Sequence, residues 1–132
     1  MRGIMIFALA AFLISGWAGQ AQAAASNADR MFREARSAYG SADYSKTIKI
    51  CDDIIKMDAK YADAYALRGK AKKDMGDVDA ATSDLDKATQ LNPGLAEAFY
   101  IRGQVQEIMG EMEKAKADYA KACAGGYKDA CK

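Results

Sequence analysis

From residue 62 the chain repeats itself in kind at a spacing of 34 residues. Ala62, Ala64, Tyr65, Arg68, Gly69, Gly76, Asp77, Ala81, Leu85 and Ala88 are answered by Ala96, Ala98, Phe99, Arg102, Gly103, Gly110, Glu111, Ala115, Tyr119 and Ala122. Met75-Gly76 returns as Met109-Gly110, and Asp84 and Lys87 return as Asp118 and Lys121. A period of this length marks one supersecondary unit stacked on its copies, each burying a face that it cannot bury alone. The residue types say which unit. Gly69, Gly103 and the alanines at 81, 88, 115 and 122 are small enough for two helices to cross closely. Tyr65, Phe99, Leu85 and Tyr119 fill the space that remains. Gly76 and Gly110 end a first helix by taking the left-handed conformation at little steric cost. Asp77 and Glu111 open a second helix, where the helix dipole favours a carboxylate. Pro93 stops that helix and opens the next unit.

A weaker copy precedes these two, at 28–61. It keeps Ala28, Asp43 and Tyr44, has Ala35 in place of the glycine at the crossing, and has Ala59 in place of the proline. Met31, Thr47, Cys51 and Ile54 occupy its packing positions. Divergence is expected in a terminal repeat, which has a single neighbour. The pattern predicts helices near 27–40, 44–57, 61–75, 78–91, 95–109 and 112–124.

This arrangement of aromatic, glycine, alanine and aromatic resembles the tetratricopeptide repeat, over 62–95 and 96–124 above all. The resemblance implies an all-α fold: a right-handed superhelical array of three helix-turn-helix repeats, at about 28–61, 62–95 and 96–129.

Composition agrees with a folded helical domain and removes whole classes of function. Hydrophobic residues make up 51% and charged residues 28%, with one proline and eleven glycines. Histidine is absent, which excludes Ser-His and Cys-His pairs, histidine metal ligands and histidine pH switches. No phosphate loop, metal-ligand spacing or nucleotide fingerprint is present, so neither a cofactor nor a catalytic residue is expected. Asp52 and Asp53 are adjacent on a helix and do not converge on a substrate. An enzyme or thiol redox protein is therefore the weaker reading.

The N-terminus reads as a secretory leader. Arg2 supplies a positive start, Ile4 to Ile14 is an unbroken apolar run, and Ala21-Gln22-Ala23 is a small-x-small cleavage pattern. The run is 11 residues long, well short of the roughly 20 needed to span a bilayer. Cleavage is expected after Ala23, with Ala25 as the alternative, leaving 24–132 as the mature domain in a bacterial periplasm with no stable membrane span. Removing the leader takes Arg2 from the 19 basic side chains and leaves 18 against 18 acidic ones. That balance offers nothing to nucleic acid.

Three cysteines remain. Cys51 falls in register with Leu85 and Tyr119 and is expected to be a buried thiol. The phrase Lys121-Ala122-Cys123, followed after Gly125-Gly126 by Asp129-Ala130-Cys131, resembles the cysteine-rich Sel1-like repeats. That resemblance implies a Cys123–Cys131 disulfide, worth about 2–3 kcal/mol to the C-terminal end.

In the tetratricopeptide family the first helix of each hairpin lines a concave groove that receives a peptide or a helix. Carried onto this chain, the groove comprises Phe32, Arg33, Arg36 and Tyr39 from the first repeat. Leu67, Lys70 and Lys73 come from the second, and Tyr100, Ile101 and Gln104 from the third. The aromatics and aliphatics suit apolar anchors, and Arg36, Lys70 and Lys73 suit a carboxylate. Family members that clamp chaperone C-termini use a defined lysine, asparagine and arginine set. The matching positions here are Phe32, Arg36, Leu67, Glu97 and Ile101, which sets that sub-class aside. The reading is an exported protein-binding adaptor. A subunit that self-associates through an open end bearing Met112, Tyr119 and Tyr127 is the alternative.

Overall fold

Among the described residues, six α-helices follow one another with short turns between them: α1 (Arg2–Gly40), α2 (Tyr44–Met57), α3 (Ala62–Asp74), α4 (Val78–Leu91), α5 (Ala96–Ile108) and α6 (Met112–Ala124). A single 3₁₀ turn, Lys128–Ala130, closes the chain. This computed structural model describes the backbone of residues 2–132 and the side chains of residues 17–132. The apolar run read as the core of a leader lies outside the described side chains. Among the described residues, no helix is long and apolar enough to cross a membrane.

The helix boundaries follow the expected ones to within about a residue, except at the start of α1, which runs back to Arg2. Residues 17–26 of α1 are all exposed, and its packed part begins at Ala28, 2% exposed. The helices pair as three hairpins, α1/α2, α3/α4 and α5/α6, and each hairpin leans on the next.

Local chemistry sets each turn. Asp43 and Asp77 cap α2 and α4, accepting from the amides of Lys46 and Ala80 at 3.0 and 3.2 Å. Such a cap satisfies one of the orphan amides at a helix start. Glu111 makes no such cap on α6 and instead pairs with Lys114 at 3.0 Å. Gly76 and Gly110 turn the chain at φ of 88° and 78°, and the corresponding residue of the first hairpin, Ala42, is held at 57°. A Cβ costs energy in that conformation.

The hairpins pack through small residues. An added Cβ at Gly69 would lie 3.0 Å from Leu85 Cγ and 3.2 Å from the Ala81 carbonyl oxygen. At Gly103 it would lie 2.6 Å from the Tyr119 ring. The core is correspondingly lean. Ala28, Ala35, Ile50, Cys51, Ile54, Ala64 and Leu67 form its N-terminal part. Ala81, Leu85, Ile101 and Val105 form another cluster, and Ala66, Ala88 and Ala98 a third.

An ionic ladder runs beside this core. Arg68 donates from Nε and Nη2 to the two oxygens of Asp84, at 2.9 and 2.6 Å, and from Nη1 to Asp52 at 2.7 Å. One repeat later Arg102 grips Asp118 at 2.7 and 2.9 Å and reaches Asp86 at 3.0 Å. Each arginine thus clamps its own hairpin and also ties it to the helix before. The hydrogen bonds to these carboxylates hold both guanidinium groups above the usual arginine range, despite the opposing effect of burial.

These contacts yield two expected outcomes in urea denaturation. Ala42→Gly should stabilise the fold by about 1 kcal/mol, and Gly76→Ala should destabilise it by a similar amount; equal midpoints would mean the turn carries no strain. Arg102→Leu should cost about 3 kcal/mol, because the Asp118 side chain, 5% exposed, loses its cation. Arg68→Leu should cost less, because Lys72 Nζ stays 2.9 Å from Asp84.

Candidate functional site

The first helices of the hairpins, α1, α3 and α5, form the inner face of the array. One cavity opens on it, and a second lies at the C-terminal edge of the array. The first, about 170 Å³, is lined by Phe32, Arg36, Tyr39, Asp63, Ala66, Leu67, Lys70, Leu95, Glu97 and Ile101. The second, about 650 Å³, lies toward the C-terminus against Tyr100, Gln104, Glu107, Tyr119 and the Cys123–Cys131 pair.

The residues assigned to the groove divide between these places. Phe32, Arg36, Tyr39, Leu67, Lys70 and Ile101 meet in the first cavity, and Tyr100 and Gln104 in the second. Arg33 is exposed and lines neither. Lys73 lies between them, its Nζ 2.8 Å from Gln104 Oε1 and 3.3 Å from Asp74 Oδ1. Leu67 and Ile101 are 8% and 1% exposed, so they serve as the cavity floor, and the apolar walls are Phe32 and Tyr39. Leu95 was not anticipated. Its signal was present, because it stands one repeat after Tyr61, which packs on Phe32 with ring centroids 5.5 Å apart.

The electrostatics differ from a simple basic strip. Lys70 Nζ is 3.0 Å from Glu97 Oε1 and stands 5.0 Å over the Tyr39 ring. Tyr39 in turn donates its hydroxyl to Asp74. Burial, and then the Asp74 carboxylate, push the Tyr39 phenol well above its ordinary value. Both lysines are therefore engaged within the protein. Among the described residues Arg36 has no ion-pair partner, and its side chain is exposed at the rim beside Phe32 and Tyr39. An exposed guanidinium in the same lining as aromatic walls can take a carboxylate while the rings take an apolar group.

Farther along, Tyr100 is sandwiched between Tyr119 and Tyr127, at centroid distances of 5.6 and 4.7 Å. Tyr119 donates to Glu107 Oε2 at 2.7 Å. Burial first, and this carboxylate second, raise its phenol. The structure joins Cys123 to Cys131, with Cα atoms 4.9 Å apart. Among the described residues, no group of His, Cys, Asp and Glu is arranged to hold a metal.

The family model of the tetratricopeptide repeat matches residues 62–95 and 96–124. A search of curated protein sequences gave no match. Among solved structures, the Arabidopsis OM64 tetratricopeptide domain is 23% identical with a TM-score of 0.70, covering 74% of this chain and 80% of that one. The first such domain of Spaghetti (RPAP3), bound to the HSP90 peptide SRMEEVD, is 20% identical with a TM-score of 0.70, over 74% and 78%. MamA is 26% identical with a TM-score of 0.68, over 74% of this chain and 57% of its own.

Cys51 tests the remaining chemical reading. It is 0% exposed in the core of the first hairpin. Burial pushes its thiol from 9.0 up to about 12, against a smaller opposing pull from Arg68. Folding favours the protonated form, so the stability it contributes is whole below pH 9 and is lost as pH rises toward about 12. At pH 8 Cys51 should stay unmodified by iodoacetamide in the folded protein and react fully in urea. Rapid labelling without denaturant would return a redox role to consideration.

Proposed function

We propose that this all-α array of tetratricopeptide-type hairpins is an exported adaptor of the bacterial envelope, which holds a peptide or helix of another protein on its concave face. Tetratricopeptide domains mediate protein–protein interaction, and the Spaghetti domain, similar in fold, is bound to a peptide. The observation that carries the reading here is the first cavity: among the described residues Arg36 has no ion-pair partner, and it shares the cavity lining with Phe32 and Tyr39 and a closed aliphatic floor. That combination selects an apolar side chain with a carboxylate close by. It differs from what a chaperone-tail clamp needs, because Glu97 lines the same cavity and holds Lys70.

The export half of the proposal rests on the leader pattern of residues 1–23. On this reading the mature chain begins at Ala24 and works in the periplasm, where the Cys123–Cys131 pair is oxidised. The partner is a protein, with neither nucleic acid nor cofactor involved. The exposed Ile108, Met109 and Met112, 61%, 45% and 53% accessible, lie together at the turn of the third hairpin and favour self-association as the second reading.

Affinity capture from an envelope extract under non-reducing conditions should retain a partner on the wild type and lose it on Arg36→Glu/Lys70→Glu. If both forms retain the same partner, the concave face is not its site. If both capture only further copies of this chain, self-assembly replaces the adaptor reading.

A further inference from the structure

α6 is the second helix of its hairpin, yet it ends as the first helices do. α2 and α4 run out into extended caps at Asp58 and Asn92. α3 and α5 end in a tight reversal, in which the amides of Asp77 and Glu111 donate to the carbonyls of Lys72 and Gln106 at 2.9 and 2.8 Å. α6 shows this second pattern. The Tyr127 amide donates to the Ala122 carbonyl at 3.0 Å and the Gly126 amide to Cys123 at 2.9 Å, with Gly126 at φ 92°. Such a cap reverses the chain within a few residues.

The reversal throws Tyr127 onto Tyr100, with an interplanar angle of 30°. The turn sits hard against the array, since a Cβ added at Gly125 would lie 2.8 Å from Ala96 Cβ. Tyr100 lines the second cavity. Tyr127 lines neither cavity, and its ring covers one side of Tyr100. The Cys123–Cys131 bond ties down the far side of the turn, and Cys131 is exposed to solvent.

We propose that this turn is a redox-controlled gate on the concave face: the disulfide holds Tyr127 over Tyr100, and reduction releases it and frees that side of Tyr100 for a partner. The proposal deepens the adaptor reading and rests on it. The reductant is a dithiol. Its thiolate attacks one sulfur of the pair, a mixed disulfide forms, and the other cysteine leaves as a thiolate. The second thiol of the reductant then attacks the reductant's own sulfur in the mixed disulfide and displaces the protein cysteine still bound there. Two electrons and two protons pass to Cys123 and Cys131, and the reductant departs as its own disulfide. Without the covalent tie, the turn is held by a few end-of-helix hydrogen bonds and one aromatic stack. A stack of this kind is worth only about three- to tenfold in an equilibrium constant.

The test uses the full chain in four forms: oxidised; reduced with dithiothreitol, capped with iodoacetamide and freed of reagent; Tyr127→Ala; and Cys123→Ser/Cys131→Ser. Tetranitromethane nitration of Tyr100, read by peptide mass spectrometry, reports the gate without any partner. Nitration should be about threefold faster or more in the last three forms than in the oxidised protein, and the double serine variant should be indifferent to dithiothreitol. Equal nitration of Tyr100 in all four forms overturns the gate. Where capture supplies a partner lost on Arg36→Glu/Lys70→Glu, its affinity should rise in the same three forms. Unchanged affinity in all four would reject control of binding while leaving the groove reading intact. A partner indifferent to the groove substitutions would remove the adaptor reading, and the nitration result would still decide the gate.

Discussion

Arg68 and Arg102 decide how the hairpins stack. The core they border is built largely of alanine, glycine and a few aliphatics, and such a surface buries area without distinguishing one register from the next. A guanidinium holding both oxygens of a carboxylate does distinguish, because the two bonds demand one orientation. The third bond of each arginine, to Asp52 or Asp86 on the preceding helix, extends that register across the repeat boundary. Buried ion pairs contribute little net stability when desolvation is counted, and specificity is their better attested use. The small residues and the ladder also need one another. Gly69 is beside Arg68 in sequence, and an added Cβ there would stand 3.2 Å from the Asp84 Cβ. Only a close helix crossing brings the carboxylate within reach of the guanidinium.

The ladder also shows why the two ends differ. One repeat before Arg68 stands Glu34, and one repeat before Asp84 stands Ile50. The first hairpin therefore has no buried pair of its own and relies on apolar packing, with Ile50, Cys51 and Ile54 at 9%, 0% and 0% exposure. Glu34 pairs instead at the surface with Lys46, 3.2 Å away. At the other end, Ala120 occupies the place one repeat after Asp86, so α6 offers no carboxylate to a further arginine.

Most of the architecture was legible in the sequence because helix packing is periodic and glycine is conspicuous. The spacing of Gly69, Gly76, Gly103 and Gly110 gave the crossings and the turns. The recurrence of Arg68 with Asp84 and of Arg102 with Asp118 was visible too, but a repeated position does not reveal which side chain it faces. The family resemblance placed ten residues in the groove, yet a place in a repeat does not measure depth. Ile101 points inward toward the groove and is also closed over by Ala81 and Leu85. Likewise, Lys70 and Lys73 read as free charges until Glu97, Asp74 and Gln104 of neighbouring turns are seen beside them. Tyr127 stands in register with Pro93 and Ala59, so the repeat gave no sign that it would lie on Tyr100.

The pairing of those lysines shapes what the concave face can recognise. The Lys70–Glu97 and Lys73–Gln104 bonds both bridge α3 and α5, so they brace the second repeat against the third. Drawing either lysine toward a ligand would leave a carboxylate or an amide uncompensated at a half-buried surface, which offsets the attraction gained. Selective contacts therefore fall to the groups that are not already committed. These lie at the two ends of the face: Arg36 with Phe32 near the first hairpin, and Tyr100 near the last. The braced middle sets the distance between them. A partner that engages both ends must span the inner width of the array, and it can use the second anchor only when the Tyr127 ring is not on it.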